Sequence, residues 1–93
     1  MAEGGRGILA TERVLKALAN RRRIQIIQLL SSKGRVSVGD VAAAMRLSIA
    51  ATSRHLRTLA ASELVKTAQS GTTIYYSLTR DRHRLLKATL ESL

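Results

Sequence analysis

The chain has 93 residues, 45% of them hydrophobic, and its 16 basic and 6 acidic residues leave a formal charge of +10. A chain this short supports one modest core, which excludes two independent domains and makes self-association a natural way to cover what that core leaves exposed. With no cysteine, no leading apolar run long enough for a signal peptide and none near the roughly 18 residues of a membrane span, disulfides, thiolate metal sites and membrane insertion are excluded, and a soluble cytoplasmic protein is expected.

Residues 1–7 hold three glycines and few apolar groups, so they read as a flexible arm ahead of a domain over residues 8–93. Leu9, Val14, Leu15 and Leu18 recur at helical spacings and predict a first helix over residues 8–19. Asn20 is a good N-cap for a second helix, so dense in Ile24, Ile26, Ile27, Leu29 and Leu30 that it must be largely buried, and Gly34 ends it. Ser37 with Asp40 resembles a capping box and opens a short alanine-rich helix through Met45. Ser48 caps the next helix, over residues 49–61, in which Thr52, Leu56 and Leu59 form the buried stripe. Two short helices joined in this way, the second small and basic on its outer face, make a helix-turn-helix pattern. After Leu64 the period changes to two, and residues 65–69 and 74–78 alternate around Ser70-Gly71 as a β-hairpin. Within it Tyr76 faces the core and Tyr75 packs against a helix or a partner subunit. Asp81 starts a last helix carrying Leu86, Leu90 and Leu93 on one face, with Leu85 beside them. The expected fold is mainly α with a small β-hairpin wing.

The basic surplus consists of 12 arginines and 4 lysines, and guanidinium forks match phosphate and guanine geometry, so a polyanion is the expected partner. With Tyr75 and Tyr76 as the sole aromatic residues, an interfacial membrane helix and base stacking on single strands are both disfavoured, leaving duplex DNA. Ala50, Arg54, Arg57 and Ala61 share the face opposite the Thr52 stripe, and no acidic residue lies between Asp40 and Glu63 to pair with the arginines. Such a slim helix fits the roughly 12 Å major groove. Ser48, Ile49, Ala50, Ser53, Arg54 and Arg57 are therefore the candidate DNA-binding residues, with Ile49 suited to a thymine methyl. His55 lies beside the buried stripe, where packing or a local hydrogen bond is expected of it. The run Arg21-Arg22-Arg23 reads either as a phosphate grip or, for Arg23, as an anchor of the fold. Two histidines, no cysteine and six scattered carboxylates offer no nucleophile–base pair and no metal cluster, so neither an enzyme nor a bound cofactor is expected.

Three stretches carry a family likeness: Lys16-Ala17-Leu18-Ala19-Asn20 followed by Arg23-Ile24 and Ile26; Leu47-Ser48 followed by Thr52-Ser53-Arg54-His55-Leu56; and Leu64-Val65, Gly71 and Tyr75-Tyr76-Ser77-Leu78. Over residues 14–80 the chain resembles the ArsR/SmtB family. The resemblance implies a homodimeric winged helix-turn-helix repressor that binds operator DNA through the second helix of the motif and the wing. It also marks departures. Arg46 and Glu63 stand where the family usually has glycine in the turn and after the recognition helix, each costing about 1 kcal/mol if the backbone stays left-handed there. Thr72 replaces the arginine common after the wing glycine. Ser37 and Gly39 occupy the positions of the family's Cys-Val-Cys metal ligands. Asp81-Arg82-His83 matches half of the zinc motif of the last helix, whose second histidine has no counterpart here, so Asp81 is read as a helix cap and His83 as its solvated partner.

Leu9, Leu86, Leu90 and Leu93 form apolar faces too large for the monomer to cover, which predicts a homodimer joined by the first and last helices. Two function classes result: a sequence-specific dimeric repressor with no known inducer, or a non-specific DNA-binding architectural or interaction module that works through charge.

Overall fold

The computed structural model describes residues 2–80 and 83–93. The elements run α1 (Ala2–Leu18), α2 (Arg21–Lys33), β1 (Arg35–Ser37), α3 (Val38–Met45), α4 (Ile49–Ala61), β2 (Val65–Ser70), β3 (Thr73–Leu78) and α5 (Arg84–Glu91). Helix, helix, helix-turn-helix, hairpin and helix therefore follow in the expected order, and the fold is a winged helix-turn-helix. No helix among the described residues is long and apolar enough to cross a membrane.

The starts of three helices are set by side-chain caps. Asn20 Oδ1 accepts from the Arg23 amide at 3.1 Å, Ser37 Oγ from that of Asp40 at 3.1 Å, and Ser48 Oγ from that of Ala51 at 3.1 Å, each satisfying an orphan donor of the first turn. Gly34 ends α2 with φ 85° while its amide bonds to the Leu30 carbonyl. The turn between α3 and α4 passes through Arg46 at φ 55°, and the chain leaves α4 through Glu63 at φ 61°. Both substituted glycine positions thus keep a left-handed backbone in this chain.

One face of the sheet and the inner stripes of the helices share a single core. Val14, Ala17 and Leu18 of α1, Ile26, Ile27 and Leu30 of α2, Leu56 and Leu59 of α4 and Leu86 of α5 meet Val36, Val65, Tyr76 and Leu78 of the sheet. The strands are ordered β1-β3-β2, all antiparallel. Val36 opposite Tyr76, and Leu78 opposite Val65, put large apolar side chains in register on the buried face.

Several expectations are corrected. Helix α1 begins at Ala2, so it enters the segment read as an arm; turns already nucleated downstream propagate through glycines at about 1 kcal/mol each. Met1 lies outside the described residues. β1 was not foreseen, because three residues with one apolar member, Val36, carry no readable alternation. The hairpin loop is Gly71-Thr72, closed by Ser70 opposite Thr73, one residue later than expected; Gly71 at φ 62° supplies the left-handed first position of a type II′ turn. The expected start and cap of the last helix, Asp81, lies outside the described residues. His83 is itself the N-cap of α5, its Nδ1 accepting from the Leu85 amide at 3.0 Å. Within its own chain Tyr75 stacks beneath the Arg35 guanidinium of β1, 4.3 Å from its ring centre.

Candidate nucleic-acid interface

Helix α4 is fixed from within by Thr52, Leu56 and Leu59, all fully buried. That leaves its opposite face to solvent: Ser48, Ile49, Ala50, Arg54 and Arg57 are exposed and Ser53 is half-buried at the edge. Ile49 is 54% exposed in the first turn, an unusual place for a large aliphatic side chain without a partner. The six candidate residues are therefore brought together on one accessible strip about three turns long. Thr58 and Ala61 extend it. Sequence reasoning passed over Thr58, whose hydroxyl donates to the Arg54 carbonyl at 3.1 Å; its place three residues before Ala61 on the same side was the available signal.

The strip is electrostatically bare of counterions. Among the described residues the one ion pair is Glu12–Lys16 on α1, at 3.8 Å, so Arg54 and Arg57 have no carboxylate partner there. The wing adds little charge at its tip, where Ser70, Gly71, Thr72 and Thr73 stand, although Lys66 is exposed farther down β2.

Arg23 belongs to a different apparatus. Its Nε donates to the Ala17 carbonyl at 2.6 Å and its Nη2 to that of Lys16 at 3.1 Å, which ties the last turn of α1 to the first turn of α2. Its Nη1 lies 3.4 Å from His55 Nδ1 on α4; a guanidinium has donors only, so the imidazole nitrogen accepts and the ring is neutral. Partial burial, then Arg23, Arg54 and Arg22, hold the His55 pKa below its ordinary 6.5. Of the two readings open for Arg23, the anchor is the observed one, and His55 makes the local hydrogen bond expected of it. Ser62, just past α4, donates its hydroxyl proton to the Thr58 carbonyl at 3.2 Å and stands 3.5 Å from the Arg13 carbonyl of α1.

The candidate dimer residues divide. Leu9 and Leu93 are 65% and 57% exposed, and Ile8 and Leu15 of α1 are exposed as well. Leu90 is half-buried and packs on the core. Leu86 is corrected: it is fully buried within its own chain, because the packing of α5 on α1 and α2 turns it inward. Leu15, Leu18 and Ala19 of α1 line a groove with Leu85, Ala88, Thr89 and Ser92 of α5. Among the described residues no three His, Asp or Glu side chains converge as metal ligands would; Ser37 caps α3 and Gly39 lies inside it.

The family model of bacterial regulatory proteins of the arsR family matches residues 20–67, from the cap of α2 into β2. The transcriptional activator HlyU of Vibrio cholerae serotype O1 is 38% identical over 80 residues, covering 86% of this chain and 70% of HlyU. The nodulation protein NolR of Rhizobium meliloti is 42% identical over 67 residues, which cover 72% of this chain and 54% of NolR, so the chain spans about half that relative's length. Among solved structures, a homodimeric winged helix-turn-helix DNA-binding domain from Mycobacterium bovis matches with a TM-score of 0.87 at 31% identity, over 99% of this chain and 85% of the other.

Proposed function

The chain belongs to the arsR family of bacterial regulatory proteins, and on that premise we propose that it is a sequence-specific homodimeric repressor that reads operator DNA in the cytoplasm with the exposed face of α4. The observation that carries this reading is the strip from Ser48 to Arg57: slim, exposed, arginine-bearing and without a carboxylate partner among the described residues. A protein that kept such a face for solubility alone would gain nothing from alanine at position 50 or an exposed isoleucine at position 49, whereas a major groove favours both. The side chains have distinct roles. Ser48 and Ala50 let the first turn approach the groove, Ile49 meets a thymine methyl, Ser53 takes a phosphate or base edge, and Arg54 and Arg57 reach guanine or phosphate.

Dimerisation uses the faces of α1 and α5 that carry Leu9, Leu90 and Leu93, and relatives of known structure support it, since the Mycobacterium bovis domain is homodimeric. Repression by steric exclusion suits a molecule whose described elements are all assigned to core, DNA face or dimer face. Ser37 and Gly39 leave the family's thiolate metal site without ligands, so regulation by thiophilic metals at α3 is lost here. The competing reading is a sequence-blind duplex binder, favoured by a wing tip without a cation.

The test is a double variant, Arg54→Ala with Arg57→Ala, checked for native fold and dimerisation. A residue that reads guanine costs about 1 to 3 kcal/mol of binding on removal and relaxes preference at one base pair per half-site. Duplex binding equal to the parent's in affinity and salt dependence would refute the role given to α4.

A further inference from the structure

Three consecutive guanidinium groups at the start of a helix oppose its dipole, so Arg21, Arg22 and Arg23 call for a separate explanation. The structure gives one for Arg23, which clamps the end of α1 and reaches His55 at 3.4 Å. That contact pins the start of α2 to the middle of α4. Its sequence neighbours are Arg22 on one side and Arg54 on the other, both exposed. Arg22 and Arg54 both act electrostatically on the His55 ring, whereas Arg21 is absent from the groups that do. Arg22 and Arg54 flank the Arg23–His55 contact in sequence, one on each helix, both exposed, and among the described residues neither is paired with a carboxylate. Exposed cations on neighbouring helices without a counterion lower their mutual repulsion by taking an anion, and the fork geometry of arginine suits a phosphodiester.

We propose that Arg22, beside Arg54, holds a backbone phosphate of its own on the bound duplex at the α2–α4 junction, so that the DNA interface has a second arm outside the recognition helix. The inference rests on the reading of α4 as the DNA-binding helix. The contact is to the backbone, so it fixes register without reading sequence. Arg21, Arg22 and Arg23 accordingly have separate tasks: Arg23 anchors, Arg22 binds and Arg21 is a solvated bystander.

Because the contact is sequence-blind, a mixed-sequence duplex three helical turns long serves as the probe. Its affinity is measured across a salt series for the parent, Arg22→Ala, Arg21→Ala and Arg57→Ala proteins, each with parent-like circular dichroism. Removing one phosphate contact lowers the slope of log affinity against log salt by about 0.9 per protomer, so between 50 and 200 mM salt Arg22→Ala should lose about 3.5-fold less affinity per protomer than the parent. Arg21→Ala should keep the parent's slope. A parent-like slope in Arg22→Ala beside a reduced one in Arg57→Ala would overturn the second arm while leaving α4 in place. Equal slope losses in Arg21→Ala and Arg22→Ala would also overturn it, since charge density alone would then suffice. Parent-like slopes in Arg22→Ala and in the Arg54→Ala, Arg57→Ala double variant would overturn both readings.

Discussion

Thr52 sits on the inner stripe of α4, fully buried, and its hydroxyl has no hydrogen-bond partner among the described residues. A desolvated, unpaired hydroxyl costs about 1 to 3 kcal/mol. Valine keeps the branched shape without the polar atom, so Thr52→Val should stabilise the fold by about 1 kcal/mol, seen as a rise of about 4 to 8 °C in Tm for a domain of this size. Three residues along, His55 makes stability depend on pH. Its folded pKa lies below the ordinary 6.5, so over the interval between the two values the unfolded chain binds more protons than the folded one and stability falls as pH falls. The contribution is complete above 6.5 and is lost as pH drops through the lower folded value. Thermal melts between about pH 7 and pH 5 should show a falling Tm in the parent and a shallower fall in His55→Gln; parallel profiles would show that the ring does not sense its arginine neighbours. At Arg46 and Glu63 the backbone is left-handed, so the local geometry that glycine adopts most cheaply is present without glycine.

At the scale of elements, α1 and α5 carry the dimer claim. Leu9 is largely open to solvent on α1, whereas Leu90 on α5 also packs on the core, so Leu9→Glu is the cleaner perturbation: it removes less packing from the monomer and puts a charge on the apolar face. Sedimentation equilibrium at tens of micromolar should give a dimer for the parent and a monomer for Leu9→Glu, with DNA affinity falling in parallel. A parent that sediments as a monomer would remove the interface. Helices α2, α3 and α4 were legible because each has both apolar residues at helical spacing and a capping side chain: Asn20, Ser37 and Ser48 all cap as their chemistry suggests. What was not legible depends on partners distant in sequence. β1 exists because β3 offers Tyr76 opposite Val36, and α5 starts at Arg84 because an imidazole, a poor advertisement for a cap, accepts from Leu85. The exposed strip proposed to meet DNA was readable from α4 alone, since spacing and the lack of acids define it. The role of Arg23, and with it the position of Arg22, required the tertiary contact to His55, thirty-two residues away.

For the whole molecule, charge, shape and symmetry bear on one claim. The protomer measures 43 × 29 × 22 Å, the same scale as one helical turn of duplex, and a twofold dimer is expected to read half-sites about 34 Å apart. A net charge of +10 favours association with any duplex at low salt, so salt-sensitive affinity by itself distinguishes nothing. Sequence preference does. The most direct measurement is competition, at one fixed near-physiological salt concentration, between a segment footprinted in the DNA flanking the protein's own gene and random duplex of equal length. A two-fold operator read by paired α4 helices should be preferred by at least about 10³-fold. A ratio near one, from protein that is folded and dimeric, would contradict the account and leave a duplex binder that works through charge alone.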